Sequence, residues 1–485
     1  MVYFSGTKRA EFSSPMRFEA DVPDCEVLGT IPPELHGSFI RLGGDFVYPS
    51  RSAEDATANS DGYISMFRFA DGRASYKGRY VRTPRYRANA AAGEQLFGVY
   101  RNPFTDDERV RGLDRTTANT APNFHAGKLF ACKEDSLPYE IDPETLDTIG
   151  PWDFHGKYKS QTFTAHPKKD PTTGEMITYG YEASGLLTDD LFIYVIDRSG
   201  EVTRETRIKV PYVSMVHDFW ITQKHIIIPV WGYVTSWERL KSGKVHWGWD
   251  GTAPTYIGIL PRDGDAKDMR WFKGPPGSAT VHTVNARTEG DRVILEAPIF
   301  DGAPFPDFPP IDGSPWADHR GRAYFRRQIF DLNSKSDGWQ EELLCEMPVT
   351  DLVRIDDRYA SLPSRYAFTQ YADPARPRSI RRGVVPRSGL RNCYGRFDLR
   401  DGSFDSYFAG PSHTLQECQF VPRSKDAPEG DGYLLGVASN VEEMRSELII
   451  ADTADLAAGD VARVILPFRA GAQIHGCWIP SATQD

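Results

Sequence analysis

Apolar residues along this chain come in short alternating runs, each closed by a turn built on Asp, Gly or Pro, and that period of two predicts strand after strand. The run at 31–44, IPPELHGSFIRLGG, joins a turn-rich start to a strand with a glycine stop. Polar loop follows as far as Asp61-Gly62. Then Tyr63-Ile64-Ser65-Met66-Phe67-Arg68-Phe69 alternates up to an Asp71-Gly72 turn. From Gly127 a unit recurs: an apolar strand, a charged turn, a second strand carrying an aromatic, and an Asp-rich turn. Lys128-Leu129-Phe130-Ala131-Cys132 leads into 138–146, and related shapes stand at 192–197, 256–264, 395–402 and 447–452. A strand ending in Asp and a turn, repeated at intervals of several tens of residues, predicts an all-β radial propeller. A pair of β-sandwiches would account for the strands as well. Helix is best placed within 80–102, where Ala90-Ala91-Ala92 and Glu94-Gln95-Leu96 favour it between interrupting glycines. The proline-rich run 304–310 cannot be a central strand, because each proline removes a ladder donor. It is expected to be a surface loop whose two rings, Phe305 and Phe308, either wall an apolar pocket or pack structurally.

Length and charge narrow this picture. A chain of 485 residues would ordinarily divide into two or three domains, but no Ser/Gly linker, charge block or low-complexity segment splits it, so residues 1–485 read as one domain. A net charge of −10 argues against a general affinity for nucleic acid or anionic lipid, which would be repelled at long range. Six cysteines are scattered without a CxxC pair and read as buried, reduced thiols. The amino terminus lacks the apolar run of a signal peptide, and no uninterrupted apolar stretch is long enough to span a bilayer. The expected location is the cytoplasm, with no membrane span.

The candidate chemistry lies in four histidines: His166 in Thr164-Ala165-His166-Pro167, His217 in Val216-His217-Asp218, His282 in Val281-His282-Thr283 and His475 in Ile474-His475-Gly476. An imidazole beside a strand-forming Val or Ile points to the face opposite its neighbour. Four such strands could aim four nitrogens at one point and hold a borderline divalent metal such as iron, with positions left open for chemistry. A sandwich pair gives no reason for that convergence.

In this order and spacing the four histidine sites resemble those of the carotenoid cleavage oxygenases, non-haem iron enzymes that split alkenes with dioxygen. The likeness runs over nearly the whole chain: IPPELHGSFIRLGG, HAGKLFACKEDSLPYEIDPETL, TAHPKKDPTTGE, VHDFWIT, VHTVNA, QECQFVPR, DGYLLGVASN, SELIIADTADLAAG and IHGCWIP. The resemblance implies a seven-bladed β-propeller with a loop and helix cap over an axial iron site. It makes His166, His217, His282 and His475 the ligands of Fe(2+). It also implies acids behind the histidines, here Glu134, Glu417 and, where the family carries glutamate, the shorter Asp351. With one methylene less, Asp351 is expected to need a backbone shift or a bridging water to reach its histidine. Such carboxylates fix the tautomer of each ring and offset the charge of a buried cation.

Lys133 points to the substrate. Where carotenoid-cleaving members carry a bulky apolar residue, this chain places a cation directly before Glu134, and alternation would send the two to opposite faces. A lysine in a cleft must find an anion or a strong acceptor. Lys133 and Tyr100 are similar to the pair that holds the substrate's 4-hydroxyl in the lignostilbene dioxygenase branch of the family. The implied activity is cleavage of the central double bond of 4-hydroxystilbenes, lignin-related, by O2 into two aromatic aldehydes such as vanillin. An apolar polyene cleaved by the same chemistry and a non-catalytic binding scaffold are the alternatives. Three residues before Asp61-Gly62 the family often carries an aromatic that stacks on the substrate; Ala58 stands here, so the pocket is wider or Phe305 or Phe308 substitutes. The branch also implies a homodimer.

Overall fold

The computed structural model describes residues 14–316, 322–379 and 391–481. Most of the polar amino terminus from which the absence of a leader was read, residues 1–13, lies outside them.

Seven antiparallel sheets of four or five strands stand around one axis, joined by one two-stranded hairpin, Tyr233–Val234 with Gly248–Trp249. The chain is a seven-bladed β-propeller. From the axis outward one blade runs Lys168–Lys169, Met176–Tyr181, Asp190–Ile196 and Val202–Lys209, and the others repeat the pattern. Two blades close the ring. The carboxy-terminal strand His475–Pro480 is added to Gly37–Asp45 as the inner strand of one, and Glu26–Gly29 forms the outer edge of the next. Strands near both ends of the described chain are thereby held in sheets, which leaves the circle no open seam among the described residues.

Position in the blade explains the sequence patterns. Middle strands are covered on both faces by neighbouring blades, so Met176–Tyr181 and His225–Val230 are buried throughout. Outer strands carry the charge: Val202–Lys209 alternates and Gln340–Leu343 is wholly exposed, which discourages edge pairing with other chains. Between blades the apolar side chains interlock, as where Ile193, Ile228, Ile257, Phe272 and Leu295 share one core. The Asp71-Gly72 turn joins Asp61–Ala70 to Arg73–Tyr80 with φ of 52° and 72°, the left-handed pair that matches strand twist in a two-residue hairpin.

The helix expected within 80–102 is Pro84–Ala92. Thr83 accepts from Tyr86 N, Pro84 opens the first turn, and Gly93 ends the helix at φ 70°. Around it the long connections lock together. Asn59 Nδ2 donates to Gly98 O at 2.8 Å, Thr57 Oγ1 to Asp307 Oδ2 at 2.5 Å, His246 N to Tyr100 O at 3.1 Å and Trp249 N to Pro309 O at 3.0 Å. The proline-rich run is a loop, but only its outer side faces solvent; Phe308 is buried beneath it. Five of the six cysteines are buried and all are free thiols. No helix among the described residues is long and apolar enough to cross a membrane.

Candidate metal centre and the pocket beside it

Three of the four histidines stand ahead of strands rather than on them. His166 lies two residues before Lys168–Lys169, His217 three before Trp220–Ile221 and His282 three before Asn285–Glu289; His475 is the first residue of His475–Pro480. This corrects the expectation of four histidines aimed by strand alternation. A side chain within a propeller strand faces the next blade, so a strand imidazole would be lost in an interblade layer. At the end of the innermost strand the side chain meets the axis instead.

The convergence itself is close. The ligand-capable nitrogens of His166, His217, His282 and His475 all lie within 4.8 Å of one another. Nε2 of His217 is 3.1 Å from Nε2 of His166 and 3.0 Å from Nε2 of His282. Behind three of the rings sits a carboxylate that accepts the Nδ1 proton: Glu134 Oε1 from His217 at 2.5 Å, Asp351 Oδ2 from His282 at 2.9 Å and Glu417 Oε1 from His475 at 2.8 Å. Asp351 makes this contact directly, without the bridging water that was one of the two routes expected of the shorter side chain. Each of the seven blades gives one residue to the arrangement, four histidines and three acids.

The donor set fits a divalent cation. With the Nδ1 protons of His217, His282 and His475 committed to carboxylates, their Nε2 lone pairs converge on one point. The buried Nε2 of His475 has no hydrogen-bond partner. Metal–imidazole bonds of roughly 2.1 Å at right angles put neighbouring nitrogens ~3 Å apart, the spacing found here. Protonation of His166 and His475 would be resisted, whereas at His217 burial is outweighed by Glu134, which raises the ring above the ordinary imidazole value. Burial, and then the three other rings, hold His166 well below the ordinary imidazole value. Burial takes His475 down to about 4 against the opposing pull of Glu417. Burial would raise the Glu417 carboxyl, but His475, Arg354 and Arg41 outweigh it and hold it at about 2.

A clamp absent from the sequence reading ties three histidine loops together. Asp218 Oδ1 pairs with Lys168 Nζ at 2.7 Å, and its Oδ2 accepts from Thr283 N at 2.8 Å and Thr283 Oγ1 at 2.9 Å. Lys168, Asp218 and Thr283 each follow a histidine by one or two positions, which is the signal that could have found them. A cavity of about 460 Å³ among the inner strands reaches His166, His282 and His475 past Lys168, Asp218 and Arg354.

Lys133 and Tyr100 are elsewhere, among the locked connections. The strand Lys128–Cys132 ends one residue early, yet the two side chains after it diverge as alternation predicted: Glu134 goes to His217, Lys133 to Tyr100. Lys133 is 2 % exposed. It donates to Ala58 O at 2.8 Å and Asn119 Oδ1 at 2.7 Å and lies 5.2 Å from the Tyr100 ring centre. An ammonium has three protons, so one is left for a further acceptor. Burial lowers its affinity for a proton to about 8, with Asp135 and Glu134 opposing. Tyr100 is buried, its ring 5.6 Å from Phe308, and burial followed by Glu134 raises its hydroxyl well above the ordinary value. Behind it Arg101 donates to Tyr181 Oη at 2.7 Å and Glu182 Oε2 at 2.6 Å, a buried base that fixes the segment. Phe305 packs 6.1 Å from Phe308. Ala58 meets Lys133 through its backbone carbonyl.

Residues 13–480 match the family model described as retinal pigment epithelial membrane protein. The chain is 42 % identical to isoeugenol monooxygenase of Pseudomonas putida over 468 residues, 96 % of each chain. It is 40 % identical to lignostilbene-alpha,beta-dioxygenase isozyme III of Sphingomonas paucimobilis over 467 residues, 96 % of this chain and 95 % of that one. The crystal structure of Pseudomonas brassicacearum lignostilbene dioxygenase superposes with a TM-score of 0.95 at 39 % identity, covering 99 % of this chain and all of that one.

Proposed function

The chain belongs to the retinal pigment epithelial membrane protein family of carotenoid oxygenases and is an alkene-cleaving dioxygenase, and from that premise we propose that its substrates are 4-hydroxystilbenes of the lignostilbene kind. Residues 1–485 act as one propeller domain around Fe(2+) held by His166, His217, His282 and His475, with Glu134, Asp351 and Glu417 orienting the rings. When bound, that iron supplies the activation of dioxygen. The reaction balances without another reductant: the C=C bond breaks, each carbon takes one oxygen atom, and two aldehydes leave.

The observation that carries this reading is the buried Lys133 ammonium with one proton uncommitted beside Tyr100. An apolar polyene offers it nothing, whereas a phenol offers an acceptor that becomes an anion. A free phenol of this kind ionises near the tyrosine value, roughly 10, and a cation held at contact distance in a dry site favours its ionised form. The phenolate oxygen pushes electron density through the ring to the alkene, which makes the bond a better partner for oxygen. Phe305 and Phe308 supply the apolar wall on which the ring lies.

A second reading is favoured by the 42 % identity to an isoeugenol monooxygenase: a 4-hydroxyphenylpropene presents the same phenol and needs no second ring. Oxygen consumption with 4-hydroxystilbene, its 4-methoxy counterpart and isoeugenol tests both. Cleavage of the first with neither of the others supports the stilbene assignment, and turnover of the methoxy compound at an equal rate refutes phenol capture. In labelled dioxygen each aldehyde should carry one labelled atom; an aldehyde oxygen taken from water refutes the dioxygenase balance.

A further inference from the structure

Tyr233 is 1 % exposed and its hydroxyl has no hydrogen-bond partner. A buried hydroxyl without a partner calls for an explanation, and a group that binds there is one. The residue is firmly placed: its carbonyl accepts from Met215 N at 3.2 Å, two residues ahead of His217, and its strand pairs with Gly248–Trp249. Its ring lies 5.9 Å from Phe308 and 6.5 Å from Phe305, nearly parallel to the latter at 26°. Phe308 is also the neighbour of Tyr100, at 5.6 Å. One aromatic wall therefore has a hydroxyl-bearing ring on each flank. Lys133, beside Tyr100, adjoins Glu134 and so His217, while Tyr233 feels the negative charge of Asp351, which holds His282. A two-ringed substrate anchored by its 4-oxygen at Lys133 and laid along Phe308 across the metal carries its second ring toward Tyr233.

We propose that Tyr233 is the residue that selects the second ring, hydrogen-bonding an oxygen substituent on it, so that the preferred substrates are stilbenes oxygenated on both rings. This rests on the phenol-capture reading of Lys133 and Tyr100. Tyr233→Phe keeps the ring contacts and removes only the hydroxyl, beside which the Phe305 backbone N–H lies. The test is binding to the iron-loaded chain under anaerobic conditions, followed by the intrinsic fluorescence of the ligand. The ligands are 4-hydroxystilbene and its analogues with a second hydroxyl at 3′ or 4′. Wild type should bind the better dihydroxy analogue about tenfold more tightly than the monohydroxy one, and Tyr233→Phe should abolish that ratio. A wild type without the preference, a variant that keeps it, or a variant weakened equally toward all three ligands overturns the inference while leaving phenol capture standing. Failure of wild type to bind any of them refutes the phenol reading and this inference with it.

Discussion

Raising the pH across the range in which Lys133 loses its proton separates two ways of holding a phenol. In the free protein burial brings Lys133 from an ordinary 10.5 to about 8, a displacement worth roughly 3 kcal/mol. If the complex is an ammonium–phenolate pair, it holds the same number of protons as neutral Lys133 plus neutral phenol. Below pH 8 binding must then release a proton, and kcat/KM should climb about tenfold per pH unit, level off near 8, and fall again above roughly 10, where the free phenol ionises. At pH 6 it should stand about a hundredfold below the plateau by the same inventory. If the phenol were bound neutral by the charged lysine, the profile would be flat below 8 and decline above it. Lys133→Met removes the limb at 8 and one charge-assisted hydrogen bond of about 1.5–3 kcal/mol, a loss of roughly 10- to 100-fold in kcat/KM. Unfolding does not mimic the effect. Between 8 and 10.5 the unfolded chain binds the Lys133 proton and the folded one does not, so this group makes the fold more stable as pH rises. The assay is initial-rate oxygen uptake with 4-hydroxystilbene from pH 6 to 10.5, with metal content measured on each protein. A flat wild-type profile below 8 refutes the ion pair; identical wild-type and Lys133→Met profiles refute any part for the lysine.

Replacing Asp218 by Asn should leave Lys168 with a weaker partner and loosen three histidine loops at once, costing about 3 kcal/mol in thermal or denaturant unfolding as a broken buried ion pair does, with tenfold weaker iron retention. Glu417→Gln should lower iron affinity about 10- to 100-fold, the usual effect of removing the carboxylate behind a metal-bound histidine. Metal analysis after dialysis against a graded chelator measures both. Unchanged retention in either variant refutes its positioning role.

The histidine motifs were legible because each is a short local signature, and so was the strand–turn repeat, because blades are built from local hairpins. What the sequence hid is everything that depends on where connections cross. Asp351, two residues ahead of Val353–Arg354, reaches His282 directly, and no count of methylenes predicts that. Lys133 was readable as a buried cation in need of an acceptor. Its two fixed partners were not, since Ala58 contributes only a carbonyl and Asn119 stands fourteen positions away. Tyr233 left no trace, because a tyrosine in a short apolar run looks the same whether its hydroxyl is satisfied or not. Strand alternation placed Lys133 and Glu134 correctly on opposite sides although the strand stops before them. It misplaced the histidines, since the axis is reached only where the innermost strand begins.

Because the seven blades each lend one residue to the centre, a cation held there would tie the ring as well as serve the reaction. Three buried carboxylates surround four rings, and a divalent cation held there would offset two of their three charges. Chelation should therefore lower the thermal midpoint, and restoring ferrous iron should raise it in proportion to the logarithm of its free concentration, as binding to the native state alone requires. The loss should be local. Amide exchange should quicken at 164–168, 216–220, 281–285 and 474–476, where the axis is made, while the outer strand Val202–Lys209 should exchange at its former rate. Quickening spread evenly from axis to rim would mean that the blades are held by interblade packing alone and that the metal contributes nothing to closure. The iron would then be a tenant of a site that the propeller maintains without it, and the carboxylates would serve only to orient the rings.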